Sequence, residues 1–207
     1  MTAGPRIGIV PTGVANTASV AAALRRCGAT PGFAEDASAV EAAACLVLPG
    51  VGSFAAGMDS LRDRGLVDAI AARVRDGRPT LAICLGMQML CTASDESPGV
   101  RGLGVIDAAV ERFTDGVCVP QFGWNRVAAD PSGALLREGY AYFANSFRLA
   151  DAPDGWRCAT AEHGGSFVAA MERDGVLACQ FHPELSSGYG LGILARWLAA
   201  AGVEAAC

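Results

Sequence analysis

Hydrophobic and polar residues follow two different rhythms along this chain, and the first half combines short apolar runs with helical periodicity. Three apolar runs, at residues 6–10, 45–48 and 80–83, predict buried strands, the second of which stops at Pro49-Gly50. Two intervening segments carry apolar residues at helical spacing: Val20, Leu24 and Cys27 in one, Leu66, Ile70 and Val74 in the other. Strands and helices in this order predict a parallel sheet covered by helices.

From about Gly102 the apolar runs are separated by Gly, Pro and Asp turns. Such runs predict antiparallel or mixed strands added to the same sheet, at residues 104–106, 141–143, 167–171 and 176–181. Asp174-Gly175 is a predicted hairpin turn, and residues 190–201 form a predicted helix. We therefore expect residues 1–207 to form one domain, an α/β sandwich of three layers around a central, mainly parallel sheet.

Composition narrows the classes of protein to consider. Of the 207 residues 52% are hydrophobic and 18% are charged, which is typical of a globular protein. The net charge of −5 and the scattered basic residues argue against a nucleic-acid partner. No apolar stretch is long enough to cross a bilayer and the first residues lack a signal-peptide pattern, so we expect no membrane association and a cytoplasmic location.

Eight cysteines are present, at positions 27, 45, 84, 91, 118, 158, 179 and 207. None are spaced as CxxC, and only two histidines, His163 and His182, could join them. We therefore expect reduced thiols and no metal site. Cys45 and Cys179 lie inside apolar runs and are predicted to be in the core.

Cys84 has the surroundings of a reactive cysteine. It ends the run 80–83, with the small residues Ala82 and Gly86 two positions before and after it, as a sharp strand-to-helix elbow requires. A helix beginning near Gly86 would favour the thiolate, and the backbone N–H of Leu85 would face a developing oxyanion. Taken alone, the motif is equally compatible with a buried structural cysteine.

The segment His182-Pro183-Glu184 supplies a potential base and its orienting carboxylate. Pro183 disfavours the helical region at His182, and in extended chain the side chains of residues 182 and 184 project to the same side. Glu184 could then hold the imidazole tautomer that leaves the other nitrogen free for a thiol. By itself the segment is also compatible with an ordinary surface turn.

A third segment, Pro49 to Phe54, places Gly50, Val51 and Gly52 after a predicted strand. Two glycines permit backbone conformations that could present a second N–H group to an oxyanion. A plain strand-to-helix turn or a phosphate loop are the alternatives. The segment lacks the Lys-Ser/Thr ending of a phosphate-binding P-loop.

Together these segments resemble the class I, triad-type glutamine amidotransferases, with the segment 84–88, the loop 49–52 and the segment 182–184 as the matching motifs. Within that family the chain is similar to the glutaminase subunits of imidazole glycerol phosphate synthases. This closer resemblance is carried by residues 50–54, Met58, Leu61, 102–104, Phe113, 120–125, 142–143 and Ser146. It extends from about residue 6 to residue 198.

The resemblance implies a flavodoxin-like fold and a catalytic triad of Cys84, His182 and Glu184. Cys84 is expected to attack the side-chain amide of glutamine, while Gln88 and the backbone near Gly52 help to hold this substrate. No metal or organic cofactor is implied.

The implied partner is a separate (β/α)₈-barrel cyclase subunit, in a heterodimer. Ammonia would pass to it through a tunnel. The cyclase would convert phosphoribulosyl-formimino-aminoimidazole carboxamide ribonucleotide into imidazole glycerol phosphate and aminoimidazole carboxamide ribonucleotide, in histidine biosynthesis.

The chain departs from the family pattern at several positions. The family's opening Asp-Tyr-Gly-x-Gly-Asn is Pro-Thr-Gly-Val-Ala-Asn at residues 11–16, Asn145 stands where the family has His, and Leu185 where it has Lys. These positions are expected near the substrate and the partner. Trp124 and Asn125 are also expected to face the partner, whereas His163 is expected to be a non-catalytic loop residue.

Two other functions are compatible with the sequence. One is a glutaminase that serves another acceptor, such as a nucleotide, chorismate, pyridoxal or sugar amidation system. The other is a binding or regulatory module with a vestigial triad. If the chain is a synthase subunit, we expect low glutaminase activity in isolation, because the glycine loop can adopt two conformations.

Overall fold

The computed structural model describes residues 6–13, 16–114, 116–130 and 133–203. Val14, Ala15 and Cys207 therefore lie outside the described residues. The helices are α1 (Thr17–Arg26), α2 (Ala37–Ala42), α3 (Phe54–Asp63), α4 (Val67–Arg75), α5 (Leu85–Met89) and α6 (Ser187–Ala200), and a 3₁₀ turn spans Pro183–Leu185. None of the helices in the described part of the chain is both long and apolar enough to cross a bilayer.

The strands form one large and one small sheet. They are β1 (Arg6–Ile9), β2 (Thr30–Phe33), β3 (Cys45–Gly50), β4 (Thr80–Cys84), β5 (Cys91–Ser94), β6 (Ile106–Arg112), β7 (Gln121–Ala129), β8 (Gly139–Asn145), β9 (Phe147–Arg148), β10 (Arg157–Glu162), β11 (Ser166–Arg173) and β12 (Val176–Cys179). The large sheet has the order β2-β1-β3-β4-β12-β11-β10-β7-β8, and the small sheet the order β5-β6-β9.

The large sheet has a parallel half and an antiparallel half. Strands β2, β1, β3, β4 and β12 pair in parallel. From β12 onwards, β11, β10, β7 and β8 continue the same sheet with antiparallel pairs. The prediction of an α/β sheet with a parallel part and added antiparallel strands is confirmed.

Two apolar clusters lie on opposite faces of this sheet and give the molecule its three layers. One cluster packs the apolar sides of α1 and α6 against the sheet, with Leu24 and Trp197 among its most buried residues. The other packs α3 and α4 against the opposite face, through residues such as Phe54 and Ile70. Cys45 and Cys179 are fully buried in the first cluster, so their assignment to the core is confirmed.

Several element boundaries differ from those expected. Strand β3 does not stop at Pro49 but continues through Gly50, which pairs with Cys84. Residues 104 and 105 precede β6 and are not in a strand, β12 ends at Cys179, and α6 begins three residues earlier than predicted. The hairpin turn between β11 and β12 is confirmed, and Asp174 takes a φ of 52° there.

Candidate active site

The carboxyl end of β4 forms a sharp elbow at Cys84. Cys84 has φ 53° and ψ −110°, a conformation that residues with a side chain rarely adopt, and α5 begins at the next residue. Gly86 lies so close to β3 that an added Cβ would overlap the carbonyl oxygen of Leu48. The elbow therefore needs a residue without a side chain at position 86, and it fixes the thiol at the end of the sheet.

His182 and Glu184 meet directly at the end of the segment that follows β12. His182 Nδ1 lies 2.9 Å from Glu184 Oε1, and their side chains are only 7% and 4% exposed. His182 itself is extended, but Pro183–Leu185 form a 3₁₀ turn. The expectation of a fully extended segment is therefore wrong, because the turn after Pro183 is what brings the carboxylate back to the ring.

Backbone contacts hold this histidine segment against the antiparallel half of the sheet. The N–H of His182 donates to the carbonyl of Tyr142 on β8 (2.9 Å), and the Ser186 hydroxyl donates to the carbonyl of His182 (2.6 Å). The ring is thus fixed from both ends of its segment.

The protonation of His182 is set by its two neighbours. Burial alone lowers the pKa of His182, but hydrogen bonding to Cys84 and Glu184 and the charges of both groups outweigh burial and raise this pKa to about 10. The ring therefore carries a proton at neutral pH, which it can deliver to a leaving group.

A cavity of about 330 Å³ opens in front of Cys84 and His182. Of the residues expected to bind substrate, Val51, Gly52, Leu85 and Gln88 line it. The remaining lining residues are Glu96, Phe122, Ala144, Asn145, Ser146 and Phe147. Although a surface hollow of about 490 Å³ exists near Trp156 and Arg173, it contains none of the expected site residues.

Gly50 supports the site from behind the cavity wall and does not line the cavity itself. A Cβ on Gly50 would lie 2.9 Å from the Cβ of Leu85, so Gly50 allows β3 to approach the elbow. Gly52, two residues later, has φ 93°, a backbone conformation that favours glycine. The cavity wall at this loop is therefore made by Val51 and Gly52.

The reasoning from sequence did not identify Gln180, which is fully buried between β12 and His182. Its Nε2 donates to Cys84 Sγ (3.6 Å), and its Oε1 accepts from Gln88 Nε2 (2.9 Å). A polar residue inside the apolar run 176–181 was the available signal.

Glu96 and Asn145 are two further polar groups on the cavity wall. Glu96 is the sole carboxylate among the described lining residues, and its Oε2 accepts from the N–H of Phe54 (2.7 Å). Asn145 donates from Nδ2 to the carbonyl of Phe147 (2.9 Å), while its buried Oδ1 has no hydrogen-bond partner among the described residues.

His163 and Asn125 lie outside the cavity lining. His163 Nε2 contacts the carbonyl of Cys118 (2.8 Å), and Asn125 donates to the carbonyl of Glu162 (2.9 Å). Trp124 and Leu185 are exposed to 55% and 42%. Within the described ranges, no three His, Cys, Asp or Glu side chains are grouped as metal ligands would be.

Comparison with known proteins identifies the family. The profile of class I glutamine amidotransferases matches residues 12–199. The chain belongs to this family. The resemblance seen in the sequence is thereby confirmed, and the chain is a glutamine amidotransferase by family.

Similar curated sequences are imidazole glycerol phosphate synthase subunits named HisH. The protein of Symbiobacterium thermophilum is 40% identical over 196 residues, which cover 93% of this chain and 92% of that protein. The protein of Streptococcus gordonii is 41% identical over 187 residues, 88% of this chain and 90% of that one. The protein of Methanothermobacter thermautotrophicus is 39% identical over 195 residues, 93% and 97% of the two chains.

Solved structures support the fold. A glutamine amidotransferase crystal structure superposes with a TM-score of 0.77 at 23% identity, over 95% of this chain and 99% of that one. The crystal structure of a putative GMP synthase component from Thermoplasma acidophilum gives a TM-score of 0.73 at 20% identity, over 98% and 96%.

Proposed function

We propose that this chain is the glutaminase subunit of an imidazole glycerol phosphate synthase and supplies ammonia to a cyclase subunit. The observation that carries the proposal is the grouping of Cys84, His182 and Glu184 at one cavity, with the His182–Glu184 contact at 2.9 Å. It occurs in a chain about 40% identical to HisH subunits along most of its length.

In the first half-reaction, the thiolate of Cys84 attacks the carboxamide carbon of glutamine. A carbon–sulfur bond forms, the carbon–nitrogen bond breaks, and protonated His182 gives its proton to the departing nitrogen, which leaves as ammonia. The product on the enzyme is a thioester of the glutamyl group. Glu184 keeps the ring oriented and stabilises its positive charge.

In the second half-reaction, water attacks the thioester carbon. His182, now neutral, takes a proton from that water, and the carbon–sulfur bond breaks to release glutamate and restore Cys84. The sum of both steps is glutamine and water giving glutamate and ammonia.

The tetrahedral intermediates carry a negative oxygen that needs hydrogen-bond donors. Leu85 follows Cys84 at the elbow, so its backbone N–H is one proposed donor, and the backbone at Gly50, Val51 and Gly52 is the proposed source of another. The positive φ of Gly52 supports a loop whose peptide groups can change orientation. We propose that this loop becomes productive when the partner binds.

The polar lining suggests how glutamine is held. Glu96 provides the negative charge that suits the α-ammonium group of an amino acid, and Gln88 lies on the wall beside Cys84. A cavity of about 330 Å³ is at the small end of ligand pockets, as a single amino acid requires. No cofactor is needed for either half-reaction.

Exposed apolar side chains around the cavity support the partner assignment. Phe122 and Trp124 on β7 and Tyr140 on β8 are 70%, 55% and 60% exposed. Phe122 and Val51 also line the cavity, so the apolar surface reaches its mouth. We propose that a (β/α)₈-barrel cyclase covers this surface in a heterodimer and receives ammonia there.

The test is a glutaminase assay of the isolated chain and of the chain with its cyclase and cyclase ligand. We expect low activity in isolation and a large increase in the complex. Cys84→Ala should abolish glutamine-dependent synthesis, while the same complex still makes product with added ammonium. Glutamine-dependent synthesis by Cys84→Ala would rule out Cys84 as the nucleophile, and a copurifying partner other than a cyclase would rule out the synthase. A cytoplasmic location and a single domain over residues 1–207 stay predictions.

A further inference from the structure

Two buried glutamines connect the cavity wall to the Cys84 sulfur. Gln88 is 6% exposed, and Gln180 is fully buried. The chain of contacts starts at the carbonyl of Phe147, passes through Gln88 and Gln180, and ends at Cys84 Sγ. The separations are 3.2, 2.9 and 3.6 Å in that order.

The direction of every hydrogen bond in this chain is determined by its starting point. A backbone carbonyl can only accept, so the group of Gln88 that faces Phe147 must be the amide nitrogen. That nitrogen carries two hydrogens, and the second one points to Gln180 Oε1. Gln180 must then present its own nitrogen to Cys84 Sγ, which accepts.

This polarity has a consequence at each end. At the buried end, the sulfur receives an N–H donor in a place where the donor is fully buried, so the loss of that donor cannot be made good by bulk water. At the cavity end, both hydrogens of Gln88 Nε2 are used, and no hydrogen bond among the described residues involves its Oε1. Gln88 lines the cavity, so its free polar atom is an acceptor.

We propose that Gln180 is a positioning residue that acts in both directions: it donates to the Cys84 sulfur and it orients Gln88 so that an amide oxygen faces the substrate. An acceptor at this point favours a ligand that carries N–H groups, such as the carboxamide of glutamine, over the carboxylate of the product glutamate. This inference rests on the proposed function, because it names glutamine as the ligand.

The two parts of the proposal are separated by two substitutions. Gln180→Met has similar length but neither donates nor accepts, so it removes both effects. Gln180→Glu keeps an oxygen acceptor for Gln88 Nε2 but replaces the N–H donor facing the sulfur by a second carboxylate oxygen. Cys45→Ala is the matched control, since Cys45 is a fully buried residue at the opposite end of β3.

The measurement is kcat and KM for glutamine, and the inhibition constant of glutamate, in the complex with its cyclase. For Gln180→Met we expect kcat to fall roughly 10- to 100-fold, as for loss of one hydrogen bond to a charged group. We also expect its preference for glutamine over glutamate to narrow by about 10-fold. For Gln180→Glu we expect a lower kcat with KM within about threefold of the wild-type value. Cys45→Ala should lower the melting temperature without changing kcat.

A second readout does not depend on glutaminase activity. The rate at which iodoacetamide alkylates Cys84 should fall about 10-fold in Gln180→Met, because the sulfur loses its donor. An unchanged kcat and alkylation rate in folded Gln180→Met would overturn the role at the sulfur. Equal rises of KM in both Gln180 variants would overturn the role at Gln88. If the wild-type complex itself shows no glutaminase activity, the proposed function fails, while the alkylation rates still decide the role at the sulfur.

Discussion

The side chain of His182 shows how two contacts can outweigh burial. Its pKa rises to about 10 in the folded protein, whereas an unperturbed histidine has a pKa of about 6.5. The folded state thus binds the proton more tightly than the unfolded state. The stabilisation is complete below pH 6.5 and is lost as the pH rises through about 10.

Replacing the carboxylate that holds this proton should change the pH dependence of stability. In Glu184→Gln the charge beside His182 is removed, so the pKa of His182 falls and the free energy of unfolding at pH 7 should be lower than in the wild-type protein. The gap between the two should narrow between pH 7 and pH 10. Urea unfolding at several pH values measures it. Glu138→Gln, in an exposed ion pair with Arg126, is the control and should change little.

A gap between wild type and Glu184→Gln that stays constant from pH 7 to pH 10 would contradict this account of His182. The same residues show what local motifs can predict. Cys84, His182 and Glu184 each have a short-range signature in the sequence. Gln180 has none of comparable strength, because its partner Gln88 is 92 residues away and meets it only after β4 and β12 have paired.

Among the elements, the elbow between β4 and α5 depends on close packing against β3. An alanine at position 86 would force its Cβ against the carbonyl of Leu48, which belongs to a fully buried strand and cannot move aside cheaply. We expect Gly86→Ala to lower the free energy of unfolding by about 1–3 kcal/mol and to displace Cys84 from His182. Denaturant unfolding and alkylation of Cys84 measure the two effects.

Gly188 provides the matched control for the elbow. It lies in α6, is exposed, and a Cβ there would meet nothing within 4 Å. Gly188→Ala should therefore raise stability by about 0.4–1 kcal/mol, since alanine restricts the unfolded chain. If Gly86→Ala were as stable and as reactive as the wild type, close packing could not be the reason for glycine at the elbow.

The predictability of each element follows from how much of its own sequence is buried. Strands β3 and β4 are buried on both faces, so they are continuous apolar runs and were predicted. Strand β2 was not, because it is an edge strand of Thr, Pro, Gly and Phe with little burial. Strand β7 alternates glycine, aromatic and polar residues, and its partners β8 and β10 decide its structure.

At the scale of the whole molecule, the two halves of the large sheet have different tasks. The parallel half ends at Cys84 and at the segment carrying His182, so it supplies the reactive groups. The antiparallel half supplies Phe122, Trp124 and Tyr140, and β8 anchors His182 through Tyr142. A partner bound to the antiparallel half would therefore touch the strand that fixes the catalytic histidine, which gives binding a direct route to the site.

The last prediction concerns that partner surface. Trp124 is 55% exposed and packs edge-on against Tyr142, with ring centroids 6.2 Å apart. Large aromatic residues dominate binding energy at interfaces, so Trp124→Ala should raise the dissociation constant for the cyclase by roughly 10-fold or more. Phe33→Ala is the matched control, because Phe33 is 60% exposed on β2 at the opposite edge of the sheet. Titration calorimetry would measure both. Equal weakening by the two substitutions would mean that the partner does not bind the antiparallel half.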